Sequence, residues 1–154
     1  MKTKTFGLIL AVCFLTSGAC FASAFNGTWK LNLAKSKNIS RHGPRNDWVE
    51  YEWAFPAQTK VTVGGIDSHG KKQQSEWTGR FDGKDYPVTG AADEDSRAYT
   101  EVNDHTLNFT SKKGGKVTVN GRVVIAADGK SRTVTVSEKH GKKKITRVAY
   151  YDKA

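Results

Sequence analysis

Residues 133–151 read TVTVSEKHGKKKITRVAYY, and this stretch decides the fold class. Val134 and Val136 alternate with threonine and serine, and beyond a turn signal at residues 140–141 the alternation resumes around Ala149. Because successive side chains of a strand point to opposite faces, each half has one buried and one solvated face. Glycine supplies the positive φ that a tight hairpin needs. The stretch therefore predicts two antiparallel strands.

The same pattern recurs along the chain. Further alternating runs lie at residues 29–33, 61–63, 107–109 and 117–119. Turn signals rich in Gly, Asp and Asn lie at residues 67–70, 82–83, 103–105, 113–115 and 128–129. No segment after the first 25 residues carries a helical stripe. We therefore predict an all-β domain, an antiparallel up-and-down β-barrel of about eight to ten strands with little or no helix. A β-sandwich is the alternative.

Two stretches interrupt the alternation. Residues 38–47 are polar and contain Gly43 and Pro44, which predicts a loop over one end of the barrel. Residues 90–96 contain the acidic run 93–95. This run lacks the glycine and the spaced oxygen ligands of a calcium loop, so we interpret it as solvated.

Residues 1–24 have the layout of a secretory signal peptide. Lys2 and Lys4 form a positive start, residues 6–15 are apolar apart from one glycine, and an Ala-x-Ala cleavage site precedes Phe25. The apolar run is too short for a membrane span, which takes roughly 20 residues. We therefore predict an exported bacterial protein, periplasmic or secreted, with no membrane span and a single folded domain at residues 25–154.

Both cysteines, Cys13 and Cys20, lie in the predicted signal peptide. Its removal would leave 130 of the 154 residues, in an oxidising compartment and without a disulfide. A domain of this length can be stabilised by burial alone. Lipidation of Cys20 is the alternative interpretation, because small residues precede it, although the leucine expected three positions earlier is missing.

The chain is basic, with 25 Lys and Arg against 15 Asp and Glu and a net charge of +10, which falls to +8 without Lys2 and Lys4. Such a charge favours solubility and attraction to anionic surfaces. Lysines cluster beside predicted turns, where they also oppose edge-to-edge pairing, at residues 71–72, 112–113 and 142–144. Export disfavours nucleic acid as a partner and leaves an anionic envelope surface as one.

Four stretches carry a resemblance to known proteins. Gly27-Thr28-Trp29 opens the first predicted strand, FDGKDYPVTG and ADGK occupy residues 81–90 and 127–130, and TRVAYYDK occupies residues 146–153. Together they resemble the lipocalins and fatty-acid-binding proteins, the calycin group, and small exported bacterial lipocalin-like proteins in particular. The resemblance implies an up-and-down barrel with an apolar ligand inside and Trp29 as a structural plug at one end. The loop at residues 38–47 is too short for the two lid helices of the fatty-acid-binding proteins.

Arg147 and Tyr151 are the predicted anchor for a ligand carboxylate. The fatty-acid-binding proteins use Arg-x-Tyr, whereas here the two residues are four apart, but they share parity and can face the interior from one strand. A guanidinium suits a carboxylate, and the phenol offers a second donor. Two alternatives stay open: Arg147 faces water if the register slips by one residue, or it pairs with an internal glutamate.

Trp77 and Phe81 are predicted to line the ligand cavity. The alternative for the four tryptophans as a set is plain core filling, which would leave no room for a ligand.

No catalytic or metal site is predicted. The four histidines, His42, His69, His105 and His140, fall in separate turns or loops, and no short ligand spacing is present. The sequence thus predicts a monomeric binding protein without a cofactor, rather than an enzyme, that holds an apolar or amphipathic, fatty-acid-like molecule. The alternative is an envelope interaction module with a filled core that binds a protein or anionic surface through its loops and lysines.

Overall fold

The computed structural model describes residues 23–67, 69–140 and 143–154. The predicted signal peptide, with Cys20, therefore lies almost wholly outside the described residues. Ten strands are present: β1 Gly27–Leu31, β2 Arg45–Ala54, β3 Gln58–Ile66, β4 Lys72–Gly79, β5 Asp82–Thr89, β6 Ser96–Asn103, β7 Thr106–Lys113, β8 Lys116–Ile125, β9 Ser131–His140 and β10 Lys143–Lys153.

The strands form one closed antiparallel barrel in the order β1-β10-β9-β8-β7-β6-β5-β4-β3-β2. Each strand pairs with its neighbours in the chain, and β1 closes the cylinder by pairing with β10, with Trp29 opposite Lys153. The tight turn between β8 and β9 uses Gly129 at a φ of 67°, a conformation that residues with a Cβ rarely adopt. The prediction of an up-and-down all-β barrel is confirmed, with no helix among the described residues. Accordingly, those residues contain no helix long and apolar enough to cross a membrane.

Aromatic side chains close one end of the barrel, which we call the plug end. The plug consists of Phe25, Trp29, Trp77 and Phe81. Trp29 is fully buried, and its indole Nε1 donates to the carbonyl of Phe25 at 2.9 Å. The rings of Trp77 and Phe81 stack with centroids 6.1 Å apart. Antiparallel alternation places the turns after β2, β4, β6 and β8 at this end.

The other end, the mouth, carries the loops after β1, β3, β5, β7 and β9. The first of these loops ends earlier than predicted, because β2 begins at Arg45 within the expected loop 38–47. Arg45 and Asn46 pair with the end of β3, so the hairpin continues toward the mouth. Lys37 and Val148 exchange backbone hydrogen bonds of 2.8 and 3.0 Å, which extends the edge of β1 along β10.

Candidate ligand-binding cavity

A cavity of about 210 Å³ lies inside the barrel between the plug and the mouth. Its wall is mixed, and the apolar part includes Leu31, Val49, Val63, Val134, Val136, Tyr51, Tyr99 and Phe109. Several charged side chains also face it: Arg45, Asp93, Glu94, Arg97, Arg132, Glu138 and Arg147. Small-molecule sites usually combine an apolar wall with a few placed polar groups, and this cavity carries more charged groups than that.

Arg132 is the deepest charged group of the cavity. Its side chain comes from the plug-end start of β9, between Ile125 of β8 and Tyr151 of β10. The residue is 2% exposed, and its Nε and Nη1 are buried with no hydrogen-bond partner among the described residues. Because buried polar groups in proteins are nearly always hydrogen-bonded, two unpaired N–H donors on one guanidinium need an explanation.

Three aromatic rings surround the guanidinium of Arg132. Its Cζ lies 4.7 Å from the ring centroid of Tyr151, 5.1 Å from that of Tyr51 and 5.3 Å from that of Trp29. The negative face of each ring attracts a cation at such distances, which offsets part of the desolvation of Arg132. Cation–π contacts leave the N–H donors unsatisfied, however. The box of rings therefore holds a positive charge whose hydrogen-bonding capacity is still available.

Tyr151 lies in the same layer as Arg132, and its hydroxyl already has a partner. It donates to the backbone carbonyl of Asn46 at 3.0 Å. Burial raises the pKa of Tyr151 to about 12, and the charge of Arg132 opposes that rise in part. The phenol is therefore protonated at neutral pH, with its proton directed to the backbone. Tyr151 lines the cavity, as its parity predicts, but contributes its ring rather than a free donor.

Arg97 forms a second charged cluster in the cavity wall, and each of its three guanidinium nitrogens donates a hydrogen bond. Its Nε donates to Glu94 Oε2 at 3.1 Å, its Nη2 to Glu94 Oε1, and its Nη1 to the Tyr99 hydroxyl at 3.0 Å. Burial acts to lower the pKa of Arg97, but the interactions with Tyr99 and Glu94 outweigh it and raise the pKa above its ordinary value. The interpretation of the acidic run 93–95 as solvated is wrong for Glu94, which is buried because it neutralises Arg97.

Arg147 lies nearer the mouth than Arg132 and also has a partner. Its Nη1 is 3.2 Å from Oε1 of Glu138 on β9, and both side chains are partly exposed. The sequence left open whether Arg147 faces water or pairs with an internal glutamate, and in the structure it pairs with Glu138. Arg147 does line the cavity, so it remains a candidate contact at the mouth. The prediction that it binds a ligand carboxylate stays a prediction.

Trp77 and Phe81 are placed differently from the prediction. Both belong to the plug and neither lines the cavity. Trp77 is buried against Tyr99, with ring centroids 4.8 Å apart, and its Nε1 donates to the carbonyl of Arg97 at 2.8 Å. Trp77 lies near the plug end of β4 and Phe81 in the turn that follows it, and the sequence pattern carries no information about height along the barrel axis. Trp29 lies in the plug, at the position implied by the resemblance.

Sequence reasoning missed Arg132, although a signal for it was present. Arg132 has the same parity as Val134 and Val136, which were assigned to the buried face. The parity argument applied to Arg147 therefore also places Arg132 inside. Within the described part of the chain, no group of three or more His, Cys, Asp or Glu side chains is arranged to hold a metal ion.

No protein-family model matches the sequence, and no curated protein matches it. Among solved structures, the chain is similar to a redesigned β-barrel, mFAP1, bound to DFHBI, with a TM-score of 0.45 and 14% identity over 85% of this chain and 95% of that chain. It is also similar to the redesigned β-barrel b11L5F_LGL, with a TM-score of 0.44 and 12% identity over 86% and 92% of the two chains. Both similarities are too distant to indicate what this chain binds.

Proposed function

We propose that this protein binds a small amphipathic molecule with a negatively charged group, held inside the barrel with that group against Arg132. The observation that carries the proposal is the buried guanidinium with two unpaired donors facing a cavity. A carboxylate is the natural complement of a guanidinium, because its oxygens accept charge-assisted N–H···O bonds, and either Nε or Nη1 can form a parallel pair of such bonds together with Nη2. The resemblance to the calycins supports a ligand inside the barrel.

The alternative function, an interaction module with a filled core, agrees less well with the interior. The cavity of about 210 Å³ is not filled by side chains. Exposed lysines do surround the mouth, including Lys71, Lys72, Lys113 and Lys116. Lysines beside turns also occur where they only keep a protein soluble and its edges unpaired. A charged mouth is equally compatible with attraction of an anionic ligand, so it does not favour the alternative.

Export to the periplasm or the medium remains part of the proposal. It is supported by the sequence of residues 1–24 alone. N-terminal sequencing of the protein recovered from outside the cytoplasm tests it, with Phe25 expected as the first residue. Recovery of the intact chain from the cytoplasm alone would contradict export without affecting the binding proposal.

Calorimetric titration with matched acids and alcohols tests the binding proposal. The ligand pairs are phenylacetate with 2-phenylethanol and decanoate with decanol. At least one acid is expected to bind one molecule per chain, at least about tenfold more tightly than its alcohol, because only the acid can satisfy the guanidinium.

The variant Arg132→Met should abolish that preference for the acid. Arg122→Met is the matched control, because Arg122 is an exposed arginine of β8 in the same barrel. Equal affinities for acids and alcohols, or an unchanged preference in Arg132→Met, would contradict the proposal.

A further inference from the structure

We infer that the bound molecule is a compact aryl carboxylate, a single aromatic ring with a short acidic side chain, rather than a long acyl chain. This inference rests on the proposed function and names the ligand class of the same cavity. Four features of the cavity support it: its volume, the position of its charge, the charged end of its apolar wall and the pairing of its other arginines.

The volume limits the size of the ligand. The cavity measures about 210 Å³. An engineered apolar cavity of about 150 Å³ holds one benzene molecule. Pockets for drug-sized ligands start at about 300 Å³. The interior therefore accommodates one ring with a few additional atoms.

The position of Arg132 determines the orientation of the ligand. The guanidinium lies beside Trp29 of the plug, so the acidic group must enter first and end against the closed end. The remainder of the ligand then points toward the mouth. A molecule bound with its acidic group at the mouth would leave Arg132 unsatisfied.

The apolar wall above Arg132 ends at a pair of charged side chains. On β9 the inward positions between Arg132 and Glu138 are Val134 and Val136, and the six residue steps from Arg132 to Glu138 span about 20 Å along the strand. Beyond them lies the ion pair of Glu138 and Arg147. A long acyl chain with its head at Arg132 exceeds the cavity of about 210 Å³, so the rest of the chain would have to continue past this ion pair into solvent, where additional methylene groups gain no burial.

Aromatic side chains in the wall favour a ring in this space. Tyr51, Tyr99 and Phe109 line the cavity, and the rings of Tyr99 and Phe109 lie 5.7 Å apart at an interplanar angle of 46°. Tilted and edge-to-face contacts of this kind are the preferred geometry of aromatic pairs. A ligand ring can make the same contacts, whereas an alkyl chain cannot.

The pairing of the remaining arginines points to a single negative charge. Arg45 pairs with Asp47 at 2.6 Å, Arg97 with Glu94, and Arg147 with Glu138. Among the described residues that line the cavity, Arg132 is thus the one arginine without a carboxylate partner. A monoanionic carboxylate matches this charge, while a dianionic phosphonate brings a second negative charge that has no counterpart among the described lining residues, which also include Asp93.

Calorimetric titration of the purified protein with phenylacetate, hexadecanoate and phenylphosphonate tests the inference. Phenylacetate is expected to bind with one-to-one stoichiometry and at least about tenfold more tightly than either of the others. The variant Arg132→Met should lose this binding, and Arg122→Met should keep it. Circular dichroism of both variants verifies that each is folded.

The outcomes separate the two proposals. Tighter binding of hexadecanoate that depends on Arg132 would overturn the compact-ring inference and leave the proposed function standing. Tighter binding of phenylphosphonate would overturn the assignment to a monoanion in the same way. Failure of these three anions and of decanoate to bind, or binding that Arg132→Met does not alter, would overturn the proposed function and with it the inference.

Discussion

Arg132 and Arg97 face the same cavity, yet their surroundings are opposite. Arg97 is enclosed by Glu94 and Tyr99, so its charge and its donors are satisfied. Arg132 is enclosed by three aromatic rings, which supply attraction without hydrogen-bond acceptors. Removal of each side chain therefore has a different consequence for stability. This difference separates an arginine that supports the fold from one proposed to contact a ligand.

Replacement of Arg132 with methionine is expected to leave the free energy of unfolding unchanged or to raise it. The variant removes two unpaired buried donors and leaves no carboxylate behind, and exchange of buried charge for apolar volume is often neutral or stabilising by about 1–4 kcal/mol. Urea unfolding of both proteins measures the difference. A loss of more than about 2 kcal/mol would show that the cation–π contacts make Arg132 a structural residue.

Replacement of Arg97 with methionine is expected to destabilise the fold by about 3–5 kcal/mol. The substitution leaves the carboxylate of Glu94 buried without its partner and removes the donor to the Tyr99 hydroxyl. Urea unfolding measures this loss as well. The double variant Glu94→Leu with Arg97→Met should regain part of the stability, because it leaves no buried charge unpaired. A single variant within about 1 kcal/mol of the parent protein would contradict this role of the pair.

Tyr151 should make stability fall at high pH. Its folded-state pKa is about 12, against about 10 for an unfolded tyrosine. A raised pKa means that the folded state keeps its proton longer, so the contribution is complete below about pH 10 and is lost between about pH 10 and 12. The contribution amounts to about 2–3 kcal/mol. Urea unfolding at several pH values should give a smaller loss for Tyr151→Phe than for the parent, and equal losses would refute the assignment.

Which site residues point into the barrel follows largely from their odd or even position along each strand. The inward positions of Arg147 and Tyr151 were predicted, and Arg132 was predictable from Val134 and Val136 on the same strand. The pairing partners were not predictable, because they depend on which residue lies opposite in the register. Glu138 reaches Arg147 across the β9–β10 pairing, and that pairing cannot be deduced from either strand alone.

Among the elements, the pairing of β4 with β5 is the weakest part of the barrel wall. β4 and β5 pair at two register positions, Glu76 with Thr89 and Trp77 with Val88. By contrast, β9 and β10 pair along nearly their whole length. Beyond the two positions β4 and β5 stay in contact, with the ring of Tyr86 close to Gly79, but their described residues form no further register pairs. The barrel is thus closed but not uniformly bonded.

Hydrogen exchange should reveal the weak pairing. Amides in residues 82–89 are expected to exchange faster than those in residues 131–138, because fewer of them are protected by a neighbouring strand and the register of β5 shifts between Asp82 and Asp85. Pro87 contributes no amide at all. Mass spectrometry of peptides from the two segments compares them directly. Equal protection would mean that the contacts of the plug, rather than strand pairing, control opening of this wall.

The elements themselves were largely predictable because their turns are short and their glycines lie at the hairpins. Gly129 at positive φ lies in the Asp-Gly signal between β8 and β9. The first loop was less predictable, since polar residues such as Arg45 and Asn46 can pair in a strand when their side chains lie near the end of a barrel. Buried Glu94 was missed for a related reason: composition suggests solvation, and only the contact with Arg97 reverses it.

For the whole molecule, charge and shape act in the same direction. The plug closes one end, so under the proposed function a ligand enters at the mouth, where the exposed lysines Lys71, Lys72 and Lys113 attract anions and the exposed acids Asp93 and Asp95 oppose that attraction. In the proposed complex the apolar part of the wall receives the body of the ligand and Arg132 its charge. The lysines and Arg132 would then favour the same class of molecule.

Phenylacetate should accordingly stabilise the whole barrel against heat. A ligand that binds only the folded chain stabilises it by about 2.7 kcal/mol at a hundredfold excess over its Kd. For a domain of this size, such a change raises Tm by roughly 10 °C. Differential scanning calorimetry measures the shift, and 2-phenylethanol at the same concentration is the neutral control. In Arg132→Met, neither compound should shift Tm by much, because the variant lacks the anchor for the anion. Its Tm without ligand should be no lower than that of the parent protein, because the strands that form the barrel are intact. An equal shift by acid and alcohol in the parent protein would mean that the apolar wall alone drives binding.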